Sequence, residues 1–226
     1  TLHSLLAEVN HPDTKIWTAE DPIEITHHGL RQIQMHPRIG LTFAAAMRAF
    51  LRADPDVIMV GEMRDSETAH IAIEASLTGH MVMSTLHTNS APESVIRMLD
   101  MGLDPFNFAD ALVGVLSQRL ARRLCPDCKQ PYTPALEELQ QIAHDYAAGT
   151  KLDPDTLLAN WRARFMPAAD ADSDWVLYRP QGCSHCDHTG YKGRVGIYEL
   201  MAASPTIKKL IQTRAPVEQL FEAATA

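Results

Sequence analysis

The chain has no long apolar run. None approaches the roughly 18 uninterrupted apolar residues of a membrane-spanning helix, and no signal-peptide pattern opens it. Cations are also scarce: Lys and Arg number 20 against 28 Asp and Glu, a net charge of -8. That balance argues against a nucleic-acid groove as the main partner, because phosphate neutralisation needs clustered Lys and Arg. One small cluster remains, at Arg119, Arg122 and Arg123. Cysteine is limited to two tight pairs, Cys125/Cys128 and Cys183/Cys186, and there is no internal repeat or low-complexity tract. The sequence opens without Met inside a helical pattern, with Leu2, Leu5, Leu6 and Val9 on one face, so it reads as a fragment.

What is present suits a globular fold. Hydrophobic residues make up 46% of the 226, enough for one substantial domain and a smaller appendage. KIWTAED (15–21), DVIMVGE (56–62) and MVMSTLH (81–87) read as strands, the last two as buried runs. Between and after them, 42–53, 66–79, 91–102 and 106–124 carry helical spacing, with Ser66 as an N-cap and Gly79 as a stop. This alternation predicts an α/β domain with a largely parallel sheet. Beyond Cys125 the pattern becomes loop-like, then helical at 135–147 and 155–165; 195–201 reads as a strand and the rest as a helical tail. Met35, Met47, Met59, Met63, Met81 and Met83 read as core or near-core packing, and His27 and His28 as solvated or capping residues.

Each expected strand ends in polar groups: Glu20 and Asp21, then Glu62, then Thr85 and His87. The C-terminal edge of a parallel sheet is where ligands bind. Phosphoryl transfer needs carboxylates for magnesium and water there, with donors for the γ-phosphate. The run ending at Glu62 has the form of a Walker B strand, with Gly61 in the position before it. A single strand-end group is as well explained by capping; three in succession carry more weight.

TAEDPIE (18–24), LRADPDVIMVGEMRD (51–65), LTGHMVMSTLHTN (77–89) and LSQRLARRLCPDC (116–128) resemble, in order, the Asp box, Walker B, His box and tetracysteine signatures of the bacterial type II secretion and type IV pilus assembly ATPases. The resemblance covers roughly residues 1–130 and 180–212 and extends to GYKGRVGIYELM. It implies a RecA-like, mostly parallel α/β core at 1–118, a zinc-binding tetracysteine subdomain at 119–197 and a helical C-terminal subdomain at 198–226. It implies ATP and Mg2+ as ligands. Glu20 and Glu62 would divide water positioning and magnesium holding between them, with the choice of base open. Asp21 would orient the Asp-box loop, His87 would contact the γ-phosphate and Thr85 would assist it. Arg31, Arg38 and Arg64 would lie near the phosphates or an adjoining subunit; surface ion pairing is the competing role.

The G-x-x-x-x-G-K-[ST] loop is missing: no Gly-Lys-Ser or Gly-Lys-Thr occurs. The resemblance puts that loop just before Thr1. Without it the chain lacks the backbone donors and Lys that cradle phosphates, so it is expected to bind ATP poorly and to hydrolyse it negligibly.

The four cysteines have the pattern C-x2-C, a 54-residue separation (129–182), then C-x2-C. Such pairs favour tetrahedral Zn2+ held by four thiolates, with buried reduced pairs or a redox dithiol as alternatives. His185 and His188 are read as neighbours and not ligands. The resemblance further implies a homo-hexamer, peripheral to the membrane at the cytoplasmic face of the bacterial inner membrane. Its partners would be an inner-membrane platform protein and cytoplasmic docking proteins, with no direct nucleic acid. Secretion and pilus assembly are both compatible, and retraction fits less well. The rival readings are a non-catalytic zinc-stabilised docking module and a metallohydrolase using Glu20, Glu62 and His87.

Overall fold

The computed structural model describes residues 1–166 and 175–225. It divides into two compact units, Thr1–Val115 with Met201–Val217, and Leu116–Leu200 with Glu218–Ala226.

The first unit is built on four parallel strands: β1 (Ile16–Glu20), β2 (Arg31–Gln34), β3 (Val57–Val60) and β4 (Met81–Ser84), in the order β2-β1-β3-β4. Side chains alternate faces along a strand, and the core divides accordingly. Helix α1 (Leu2–Val9) covers the face holding Ile16, Val57 and Met59, into which Leu6 is buried. Helices α2 (Phe43–Leu51) and α3 (Ser66–Leu77) cover the other face, where Ala19, Ile58 and Val60 meet Met47, Phe50 and Ala72. Burial of each large side chain here stabilises by about 1.5–3 kcal/mol. Helices α4 (Ala91–Asp100) and α5 (Pro105–Ala111) follow, and α8 (Pro205–Gln212) packs on α5.

Several local expectations change. The N-cap of α3 is Asp65, not Ser66: its carboxylate accepts from the Thr68 N–H at 2.8 Å and the Thr68 hydroxyl at 2.9 Å. Leu5 is 45% exposed, so the buried stripe of α1 is narrower than its leucines suggest. Strand β4 lies at a sheet edge and Met81 is exposed, whereas Met35, Met47 and Met59 are buried. The stretch 106–124 is not one helix. After α5 the chain enters β5 (Gly114–Leu124), paired with β8 (Tyr191–Ala202). Gly114 permits the pairing: a Cβ there would meet the Met201 carbonyl oxygen at 3.2 Å.

In the second unit, β6 (Gln130–Tyr132) pairs antiparallel with β7 (Leu177–Arg179). Helices α6 (Leu136–Ala147) and α7 (Pro154–Phe165) pack together, with Tyr146 edge-on to Trp161 at 5.3 Å. Helix α9 (Val217–Ala224) buries Leu220. Residues 167–174, which follow α7, lie outside the described residues.

Candidate functional site

The C-terminal ends of β1, β3 and β4 open into a cleft of about 350 Å³. It is lined by Glu20, Asp21, Glu62, Arg64, Thr85 and His87, and on the α1 side by Thr1, Leu2 and His3. Six of the eight candidate nucleotide-site residues therefore share one cavity. Arg31 and Arg38 are not among its lining residues: Arg31 lies over the Trp17 ring at 5.9 Å, and Arg38 is exposed in a short 3-10 turn, Pro37–Ile39.

Glu20 ends β1 on the face that α1 covers and is 3% exposed. A buried carboxylate needs donors. Its Oε1 receives the Thr18 hydroxyl at 2.6 Å and Gln32 Nε2 at 2.9 Å. Its Oε2 faces His3 Nε2 at 3.6 Å. One oxygen is thus fixed to the sheet while the other is turned toward the cavity.

Glu62 follows Gly61, and the glycine has a steric reason. The Gly61 N–H donates to the Ala19 carbonyl at 2.8 Å, and a Cβ would come within 3.2 Å of that same oxygen. The close approach brings the ends of β1 and β3 together and sets Glu62 beside Glu20's strand. The Glu62 carboxylate pairs with Arg64 on one side and faces His87 Nε2 at 3.7 Å on the other. The hydrogen bond to Glu62 and then its charge hold the Arg64 proton more tightly than usual, against a smaller opposing effect of burial. Thr85 donates its hydroxyl to the Gly61 carbonyl at 2.5 Å, and its own carbonyl accepts from the Met63 N–H at 3.0 Å. Thr85 therefore joins the tips of β3 and β4, while His87, 91% exposed, stands at the open side.

His3 and Gln32 carry no signal in the sequence pattern, and His27 reads there as a solvated or capping residue. His27 instead stacks on His3, centroids 5.1 Å apart and planes at 19°. Glu62 and His87 approach each other, but among the described residues Glu20, Glu62 and His87 do not all bring ligand atoms within 4.8 Å of one another as the four cysteines do.

The cysteines do converge. Cys125, Cys128, Cys183 and Cys186 place all four sulfurs within 4.8 Å of one another, with Sγ separations of 4.0 Å (125–183), 3.8 Å (128–186) and 3.8 Å (183–186). Four thiolates at about 2.3 Å from one tetrahedral ion lie about 3.8 Å apart, so the donor set fits zinc. The local electrostatics are uneven. Burial pushes the Cys128 thiol up to about 12, against the opposing Gly182 N–H. Burial also raises Cys186, but N–H donation from Cys183 and Gly190, each at 3.3 Å, outweighs it and brings that thiol down to about 6. His185 turns to Asp127 of the opposite knuckle and His188 is exposed.

A family model described as "Type II/IV secretion system protein" matches residues 1–226. Two curated relatives are the type II secretion system ATPase E of Vibrio cholerae, 46% identical over 98% of this chain and 39% of its own, and the type IV pilus assembly ATPase PilB of Myxococcus xanthus, 44% identical over 99% of this chain and 36% of its own. The chain thus spans about two fifths of the length of these relatives. Among solved structures, the pilus retraction motor PilT with bound ADP superposes with a TM-score of 0.58 at 27% identity, covering 95% of this chain and 46% of that one.

Proposed function

The chain belongs to the type II/IV secretion system protein family, and from that membership we propose that the full-length protein is an ATP-hydrolysing motor of type II secretion or type IV pilus assembly. Within it this chain supplies the hydrolytic side of the nucleotide site. The observation that carries the reading is the cleft where the ends of β1, β3 and β4 set Glu20, Glu62 and His87 around one cavity. The names of the relatives, both ATPases, and the ADP held by PilT support it.

Glu20 Oε2 and Glu62 are the acceptors available to the attacking water and to magnesium. When bound, magnesium would neutralise charge on the phosphoryl oxygens. Glu62 pairs with Arg64, and His87 at the open side reaches an incoming γ-phosphate. Asp21 follows Glu20 and fixes the loop at the cleft mouth, with Thr85 tying the neighbouring strand. Arg31 and Arg38, outside the cleft, are the candidates for contacts with a neighbouring subunit of a hexamer, where a trans cation would gate the chemistry.

Residues 1–118 are proposed as the motor core and 119–197 as a structural zinc subdomain held by the four cysteines, followed by the helical segment 198–226. The motor would work at the cytoplasmic face of the inner membrane against a platform protein and docking proteins. No helix among the described residues is long and apolar enough to cross a membrane.

The test is magnesium-dependent ATP hydrolysis by the full-length protein beside an ATP titration of the 226-residue chain. Steady turnover is expected from the first and weak binding from the second. Micromolar affinity in the chain alone would contradict the assignment of phosphate binding to a loop outside it. A full-length protein without ATPase activity would leave the docking-module reading instead.

A further inference from the structure

We propose that His3 is a positioning residue for Glu20, held in place by its stack on His27; the inference rests on the ATPase reading above. Glu20 sits in a closed circuit of contacts. Its Oε1 accepts from Gln32 Nε2 at 2.9 Å, and Gln32 Oε1 accepts the His27 N–H at 2.8 Å. The His27 ring stacks on His3 at 5.1 Å, and His3 Nε2 returns to Glu20 Oε2 at 3.6 Å. Gln32 also donates to the Ile25 carbonyl at 2.9 Å, so the loop after β1 is tied to the same side chain. A second tie joins this loop to α1: Asn10 Nδ2 donates to the His28 carbonyl at 2.8 Å.

The circuit divides the two oxygens of Glu20. Oε1 is occupied by Thr18 and Gln32, leaving Oε2 for chemistry. His3 Nε2 faces Oε2 at 3.6 Å, a separation too long for a direct hydrogen bond but short enough for both atoms to reach one water. His3 Nε2 therefore limits where a water held by Oε2 can sit. Stacking fixes the imidazole plane. His3 Nδ1 and His27 Nε2 are both buried without a hydrogen-bond partner; that arrangement costs free energy, and ring alignment over Glu20 is what it provides. Because His3 lies on α1 and His27 on the loop after β1, the contact also joins the start of the chain to the carboxylate it helps to orient.

The experiment measures steady-state ATP hydrolysis by the full-length protein with magnesium. His3→Phe keeps an aromatic ring for the stack and removes Nε2; kcat is expected to fall about tenfold, the size of effect that slight misplacement of a reacting group produces, with KM for ATP within about twofold. His3→Gln returns an amide nitrogen to the region of Nε2 and is expected to recover most of kcat. His27→Ala leaves Nε2 in place without its aligning partner, and kcat should fall about threefold at unchanged KM. This arm decides the matter even if His3→Phe does not fold. Wild-type kcat in His3→Phe or His27→Ala overturns the proposal, as does a loss in His3→Gln equal to that in His3→Phe, which would mark simple packing. No ATPase activity in the wild-type protein would overturn the motor reading itself, and this inference with it.

Discussion

Glu62→Gln in the full-length protein is expected to lower kcat for ATP hydrolysis by about 100-fold or more while leaving ATP affinity nearly unchanged. The substitution keeps the shape of the side chain and removes its charge. Glu62 is 13% exposed, with Arg64 on one side and His87 on the other, so Gln fills the same space but no longer holds Arg64 or accepts a proton. Most of the exposed Arg64 side chain is solvated, and exposed ion pairs contribute little to stability; the fold is expected to persist. Binding should persist as well, since the phosphates are proposed to be cradled by a loop and not by these carboxylates. Glu20→Gln is a less clean probe. There Oε1 accepts from two donors at once, and a Gln amide would either present its NH2 to them or turn its oxygen away from the cleft. Steady-state kinetics with a parallel nucleotide titration separates these effects.

The second large effect is on the metal site. Cys186→Ser is expected to take the bound zinc from about one ion per chain to near zero and to leave residues 116–200 open to proteolysis. Cys186 is the sulfur most firmly built in: it is buried and accepts N–H bonds from Cys183 and Gly190. The knuckle backbone is equally specific. Gly182 and Gly190 have φ of +105° and +77°, and an added Cβ would meet the His188 carbonyl oxygen at 2.6 Å and the Pro180 Cβ at 2.5 Å. The buried cluster at the two knuckles consists of the cysteines themselves, so the ion would provide much of the folding free energy there. Metal analysis and limited proteolysis of wild type and variant test this. A wild-type protein free of zinc, with all four thiols titrating in the native state, would contradict it.

These two sites were legible in the sequence to different depths. Strands β1, β3 and β4 announce themselves as β-branched or apolar runs, and their polar ends gave Glu20, Asp21, Glu62, Thr85 and His87 directly. A short apolar run bounded by polar residues needs only local residues to be seen. Strand β2 has no such signal: RQIQ carries one apolar residue, and only its pairing with β1 makes it a strand. The stretch that becomes β5 reads as helix because Leu116, Leu120 and Leu124 fall at four-residue spacing; its partner β8 lies some 70 residues on and overrides that pattern. His3 was invisible for the same reason. Its meaning comes from Glu20 and His27, which only the fold brings to it. Asp65 took the capping position from Ser66 by a one-residue difference that side-chain geometry alone decides.

The cleft at the ends of β1, β3 and β4 is proposed to face the γ-phosphate of ATP. The most direct measurement is a structure of the full-length protein with magnesium and a non-hydrolysable ATP analogue. A γ-phosphate is expected inside the cavity bounded by Thr1, Glu20, Glu62 and His87, with Glu20 Oε2 and Glu62 reaching it or its magnesium through no more than one water. A triphosphate bound elsewhere, with this cavity holding only solvent, would contradict it.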